Sequence, residues 1–168
     1  MSPTLVAETY RLLVAGGRYR WIAEHRQAAS AVWRQHSWDV MDATGEVALV
    51  SLVAAVHESR TRIALVDHEG RRATTFTGAE PMTRAQIGTL SDSWGNPLLM
   101  VRADGPTGLH LIDPAGNLLA LTSRQRSRDA HGCDVLVTAA GAALGRGLVL
   151  GMTLALELLR AGALRRVA

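Results

Sequence analysis

The chain has no lysine, a single cysteine (Cys133), and an aromatic content of only 4% in 168 residues. One cysteine excludes a disulfide framework within the chain and any Cys-x-x-Cys metal pair, and it suits a reducing compartment. The histidines are scattered without ligand spacing, so no metal, no cofactor and no catalytic residue is expected. With so few aromatics, the core must be built from Leu, Val and Ala. The absence of lysine places every basic charge on arginine, whose planar fork can grip carboxylates and phosphates bidentately. The net charge of +3 is too small to indicate nucleic-acid binding by itself, although the pI is about 10.0. A signal peptide is missing as well. Residues 1–15 have no basic leading region and carry Glu8 inside the apolar stretch, so a cytoplasmic location is expected.

A membrane-length uncharged run is also lacking. Gly147–Leu156 is ten residues long, where a span needs about 17–25. Extending the run backwards would put Arg146 inside the hydrocarbon, at a cost of roughly 2.5–3.5 kcal/mol. Yet Ala143–Arg160 (ALGRGLVLGMTLALELLR) places Leu144, Leu148, Val149, Leu150, Met152, Leu154, Leu156, Leu158 and Leu159 all round a helix. A helix apolar on every side that does not span a membrane belongs in a protein core. Gly141, Gly145, Gly147 and Gly151 lower its helix propensity but permit close approach of neighbouring backbone. A phosphate loop is not read here, because the Gly-Lys-Ser/Thr ending is missing.

What the chain does have is a repeat, within a length that suits one domain over 1–168. Apolar runs flank Asp-x-x-Gly at Asp42/Gly45, Asp67/Gly70, Asp92/Gly95 and Asp113/Gly116, with steps of 25, 25 and 21 residues. Asp can open a type I turn by accepting a backbone bond two residues on. Gly at the fourth position accepts the positive φ of a bulged hairpin. Each unit therefore reads as two antiparallel strands and a tight turn, and about nine strands can be counted after residue 36. A further Asp-x-x-Gly, Asp129/Gly132, precedes the run Val135–Thr138. The long apolar run Val47–Val56 predicts a strand covered on both faces, by another segment or by a second subunit. Residues 1–35 are less decided. Ser2-Pro3, Gly16-Gly17 and the spacing of Trp21, His25, Ala28, Ala29, Val32 and Trp33 suit one or two helices, whereas Tyr10–Ala15 and Arg20–Ala23 also read as strands.

Repeated Asp-x-x-Gly hairpins, a strand at Asp134–Thr138, a linker at Gly141 and an all-apolar helix at Leu148–Leu159 resemble the tubby C-terminal-like superfamily. That superfamily includes the plant LURP-one-related proteins and the phospholipid scramblases. The resemblance covers Trp38 to Leu159 and implies an antiparallel barrel of twelve strands closed around the helix, with Tyr10–Ala23 supplying the missing strands. Scramblases carry a calcium-linked acidic cluster just before the helix. Here Cys133–Gly147 contributes only Asp134, so the resemblance does not bring calcium dependence with it.

Arg124, Arg126 and Arg128 alternate, and on a strand they would share one face. Tubby domains recognise phosphoinositides through basic residues, so the resemblance makes this stripe a candidate contact for anionic phospholipid headgroups. Arg18/Arg20 and Arg60/Arg62 repeat the spacing. Trp94 falls inside a turn and is a candidate interfacial anchor. His131 and Cys133 could share a strand face, but neighbours on one strand make poor nucleophile–base pairs, and no orienting group is evident. The sequence thus predicts a non-enzymatic barrel module, peripheral at the inner membrane face or held by a protein partner, with a structural homodimer as the alternative. A helix filling the barrel would leave no cavity inside, so binding is expected at the periphery.

Overall fold

The computed structural model describes residues 6–57, 60–126 and 131–160. Twelve strands follow one another: β1 Val6–Ala15, β2 Arg18–Ala23, β3 Arg26–Arg34, β4 Ser37–Met41, β5 Ala48–His57, β6 Arg60–Asp67, β7 Arg72–Gly78, β8 Gly88–Asp92, β9 Pro97–Asp104, β10 Gly108–Ile112, β11 Leu118–Arg126 and β12 His131–Thr138. A helix, α1, spans Ala139–Arg160. Each strand pairs antiparallel with its sequence neighbours, and β1 pairs with β12 to close the barrel. Full closure removes every exposed sheet edge.

The barrel forms because side chains alternate. Tyr10 and Leu12 of β1, Tyr19 and Trp21 of β2, Ile63 and Leu65 of β6, and Cys133, Val135 and Val137 of β12 all point inward and are buried. Residues 6–35 therefore hold strands and turns in place of helices, and Ser2-Pro3 lies outside the described residues. Gly16 and Gly17 both have positive φ, 58° and 74°, and form a two-residue hairpin turn, not a helix stop. Glu24 and His25 do the same at φ 50° and 63° without glycine. The helical spacing from Trp21 to Trp33 is incidental. Trp21 and Ala29 reach the core from different strands, and His25 lies in a turn.

In an up-and-down barrel alternate turns lie at opposite ends. All four Asp-x-x-Gly turns fall at the end where α1 enters after Thr138. Here the register slips at Val40/Met41 between β4 and β5 and at Leu111/Ile112 between β10 and β11. Such bulges turn adjacent residues the same way, so Leu49 joins Val50 and Leu119 joins Ala120 in the core. This accounts for the apolar run at Val47–Val56. Its inner face is covered by α1. On its outer face Ser51 bonds Asp39 at 2.7 Å, and Val53 stays 41% exposed. No described segment of the chain lies over that outer face, and residues 6–35 are barrel wall.

The helix begins earlier than its apolar run. Thr138 caps it: its Oγ1 accepts the Gly141 N–H at 3.1 Å and donates to the Leu118 carbonyl at 2.6 Å. Gly141 is helical and not a linker, and glycine is needed there because a Cβ would stand 2.1 Å from the Leu119 carbonyl oxygen. Gly145 breaks the helix at φ 140°, ψ 117°. The freed Leu144 carbonyl accepts from Arg72, which lies 3.7 Å from buried Asp67. Asp67 explains why the second repeat departs from the others. Gly45, Gly95 and Gly116 have positive φ as expected, but in this turn Arg71 takes the positive φ, at 50°. Gly70 is small for another reason, since a Cβ would meet the Asp67 carboxylate at 2.6 Å.

Beyond the kink, Leu148, Val149, Leu150, Met152, Leu154 and Leu158 are fully buried. By length and composition α1 could cross a membrane, with mean hydropathy 1.6, but here it fills the barrel. The Trp21 indole N–H donates to Thr153 Oγ1 at 3.1 Å, a polar tie between barrel wall and helix.

Candidate functional site

At the entry end three turn carboxylates are satisfied by their own turns, while the buried Arg146 Nε has no partner. Asp92 Oδ1 accepts the backbone N–H groups of Trp94 and Asn96, each at 2.9 Å. Asp113 Oδ1 accepts the Asn117 N–H at 2.8 Å, and its other oxygen accepts the Asn117 side-chain amide at 3.0 Å. Asp42 accepts from Thr44 and Val47. These bonds hold all three carboxyls below the usual range: the Thr44 hydroxyl foremost for Asp42, the Asn96 backbone for Asp92, and the Asn117 side chain for Asp113. Their lone pairs are occupied by turns. Arg146 enters the same end, lies 6.0 Å over the Tyr10 ring and donates to the Ala28 carbonyl at 3.4 Å. Burial, then the bond to Glu8, raises the Tyr10 hydroxyl pKa. Among the described residues, no three His, Cys, Asp or Glu side chains converge as a metal site would need.

The exit end differs in charge and in packing. Carboxylates outnumber guanidiniums around the entry turns: Glu24, Asp42, Glu46, Asp67, Glu69, Asp92 and Asp113 against Arg26, Arg71, Arg72 and Arg146. At the exit the described residues reverse this, with Arg18, Arg34, Arg84, Arg124 and Arg160 against Glu80, Asp104 and Glu157. Trp33, Trp38 and Tyr19 cluster on β2–β4 near this rim, Trp38 lying 5.3 Å from Tyr19 and 5.5 Å from Trp33. Trp33 remains 40% exposed, and Met82, in the connection between β7 and β8, 58%.

The helix packs on β11, β5, β12, β6, β1 and β4. Between its last turns and β9–β11 it leaves a cleft of about 450 Å³. A filled barrel was expected to leave no cavity, and this one does, because α1 leans to one side. Cys133 and Thr153 line its depth, and burial, then the Glu157 charge, pushes the Cys133 thiol up to about 12. Burial thus disfavours the thiolate, the form in which a cysteine acts as a nucleophile.

The structure distributes the predicted contacts unevenly. Arg124 points inward with Ala120 and Thr122 and pairs with Glu157 of α1 at 3.4 Å, so it is not part of an outer stripe. Arg126 is the last residue of β11, opposite His131, but its side chain and that of His131 are outside the described residues, as is all of Arg128. Asp129, Glu58 and the last eight residues are likewise outside them. Trp94 is 87% exposed, but in the β8–β9 turn of the entry end, away from Arg124. Arg11 pairs with Asp134 at 3.3 Å across the β1–β12 seam. Arg84 and Arg160 were missed as rim residues. No local signal marks them, since only the alternation of turns between the two ends gathers them.

These features define a class: a closed antiparallel twelve-stranded barrel around a C-terminal core helix. Comparison with family models, with curated proteins and with solved structures finds no significant match.

Proposed function

We propose that the chain is a non-enzymatic binding module of the tubby-like, scramblase-like kind, and that its exit end docks on an anionic phospholipid surface. The observation that carries this reading is the basic and aromatic rim at one end of a barrel whose other end is acidic. Twelve strands around an apolar helix, the architecture implied by the family resemblance, support it. Arg18, Arg34 and Arg84 supply the charge, and Trp33 and Met82 the apolar contact. Trp94, at the acidic end, has no part in this docking. Rim tryptophans suit a membrane interface, where one edge of the ring is apolar and the other wet. Each arginine near such a surface contributes about 1 kcal/mol, so several must act together. A cytoplasmic location, peripheral at the inner membrane face, goes with this reading.

Co-sedimentation with neutral phosphatidylcholine vesicles and with vesicles containing phosphatidylserine tests it. Binding is expected only to the anionic vesicles, weakening about fivefold with each of Arg18→Gln, Arg34→Gln and Arg84→Gln. Arg26→Gln and Arg71→Gln at the entry end leave it unchanged. Equal partitioning to both vesicle types removes the proposal. A second reading, a homodimer, is favoured by Val53 and Val66, exposed on the outer face of β5 and β6. A strict monomer by light scattering at high concentration eliminates it.

A further inference from the structure

From the cleft beside the helix end we infer that the barrel takes up one single-chain anionic amphiphile, a long-chain fatty acid or the acyl chain of an anionic lipid. A volume of about 450 Å³ lies within the roughly 300–1,000 Å³ usual for small-molecule sites. Its walls are apolar: Ile87, Leu109, Leu156 and Leu159 face one another across it. Such walls suit an alkyl chain, whose methylenes leave water as they enter.

The rim decides the head group. Arg84 donates to the Gly105 carbonyl at 2.7 Å, a neutral partner, so its charge is not cancelled there. Arg124 and Arg160 both lean on the one carboxylate of Glu157, at 3.4 and 3.2 Å. Three guanidiniums thus line the cleft with one carboxylate among the described lining residues. That excess favours an anionic head, because a carboxylate or phosphate can accept two parallel bonds from a guanidinium. A neutral amphiphile would leave that excess of guanidinium over carboxylate uncompensated. The inference deepens the membrane reading, since it uses the same end of the barrel. It differs in requiring no bilayer, because one chain enters the protein.

A bilayer-free titration separates the two. The full chain is titrated with cis-parinaric acid below its micellar concentration, and the fluorescent probe is then displaced with oleate or with oleyl alcohol. Saturable binding near one per chain is expected, with oleate displacing the probe at least tenfold better than the alcohol. Ala103→Trp, which fills the cleft, abolishes binding. Arg84→Gln, at an exposed position, weakens oleate about five- to tenfold and leaves the thermal midpoint unchanged, so the inference stays decidable even if the Trp variant does not fold. No saturable binding, equal displacement by alcohol and acid, or full binding by a folded Ala103→Trp variant overturns it. Oleate binding without vesicle binding removes the membrane reading alone. Vesicle binding without oleate binding removes this inference alone and traces the lipid contact to head groups.

Discussion

At the mouth where α1 enters, the turn carboxylates are held by their own turns and the helix backbone touches the wall, although Arg146 Nε is buried without a partner and a cleft of about 610 Å³ opens beside the start of β1. Asp92 and Asp113 bind their own turns, Thr138 caps the helix, and Gly141 lets the helix rest on the Leu119 carbonyl. At the mouth where α1 leaves, the wall stands off, Arg84 donates to the Gly105 carbonyl, and aromatic surface meets solvent. Both ends are made from hairpins of the same sheet. The difference follows from where the helix leans and from which turns alternate to which end. The entry cleft is lined by the charged side chains of Glu8, Arg11, Glu24 and Arg146, whereas the exit cleft joins an apolar wall to an excess of guanidiniums, the two features from which an amphiphile site can be made.

Substitutions can break this comparison. The largest effect is expected from Gly141→Ala, whose Cβ would fall 2.1 Å from the Leu119 carbonyl oxygen. Backbone cannot step aside as a side chain can, so a loss of about 3 kcal/mol is expected in urea unfolding. Gly105→Ala at the exit, with φ +65° but open space, should cost only about 1–2 kcal/mol. Equal losses would mean that the entry is no tighter than the exit. Next comes acid. The carboxyls of Asp42, Asp92 and Asp113 are lowered in the folded state, so their contribution is complete above the unfolded value of about 3.9. It is lost as pH falls through the lower folded values. The urea midpoint should therefore drop below about pH 4, and a triple Asp→Ala variant should start lower at pH 7 and lose less on acidification. An unchanged acid limb in that variant would show that these turns do not hold the end together.

Smaller effects sharpen the contrast. Iodoacetamide at pH 8 should leave Cys133 unlabelled in the native chain and label it fully in denaturant, since burial pushes its thiol to about 12. Rapid native labelling would mean the cleft opens to its floor. The smallest change is expected from Trp94→Ala, within about 0.5 kcal/mol in stability and without effect on vesicle binding. Trp33→Ala at the opposite rim should reduce vesicle binding measurably. A reversal of those two results would move the lipid-facing surface to the acidic end.

Much of the fold was legible along the chain. The spacing of Asp42, Asp67, Asp92 and Asp113 marked hairpins, and the all-round apolarity of Leu148–Leu158 marked a core helix. Both signals are local: a turn needs its own Asp and Gly, and a helix inside a barrel needs apolar residues on all sides. Residues 6–34 were legible only in part: Tyr10–Ala15 and Arg20–Ala23 read as strands, which they are, but equally as helix. Tyr10 and Leu12 acquire their meaning from β12, more than a hundred residues away, where Leu12 meets Cys133 and Tyr10 meets Val135. The candidate site was legible only in part. The alternation of Arg124 and Arg126 was read as one strand face, but which face is inward depends on the closure of the barrel. Arg124 proves to point at Glu157 on α1.

The sequence by itself determined the hairpins, the helix and the near absence of thiol and lysine chemistry, because these rest on residues close in the chain or on composition alone. Only the tertiary structure decided that β1 seals the barrel against β12, that the helix kinks at Gly145 and leans away from part of the wall, and that arginines from separate hairpins ring a single cleft. Each of those is a relation between segments far apart in sequence. Such relations are set by how the helix packs once the sheet has closed around it, and no window of neighbouring residues contains them.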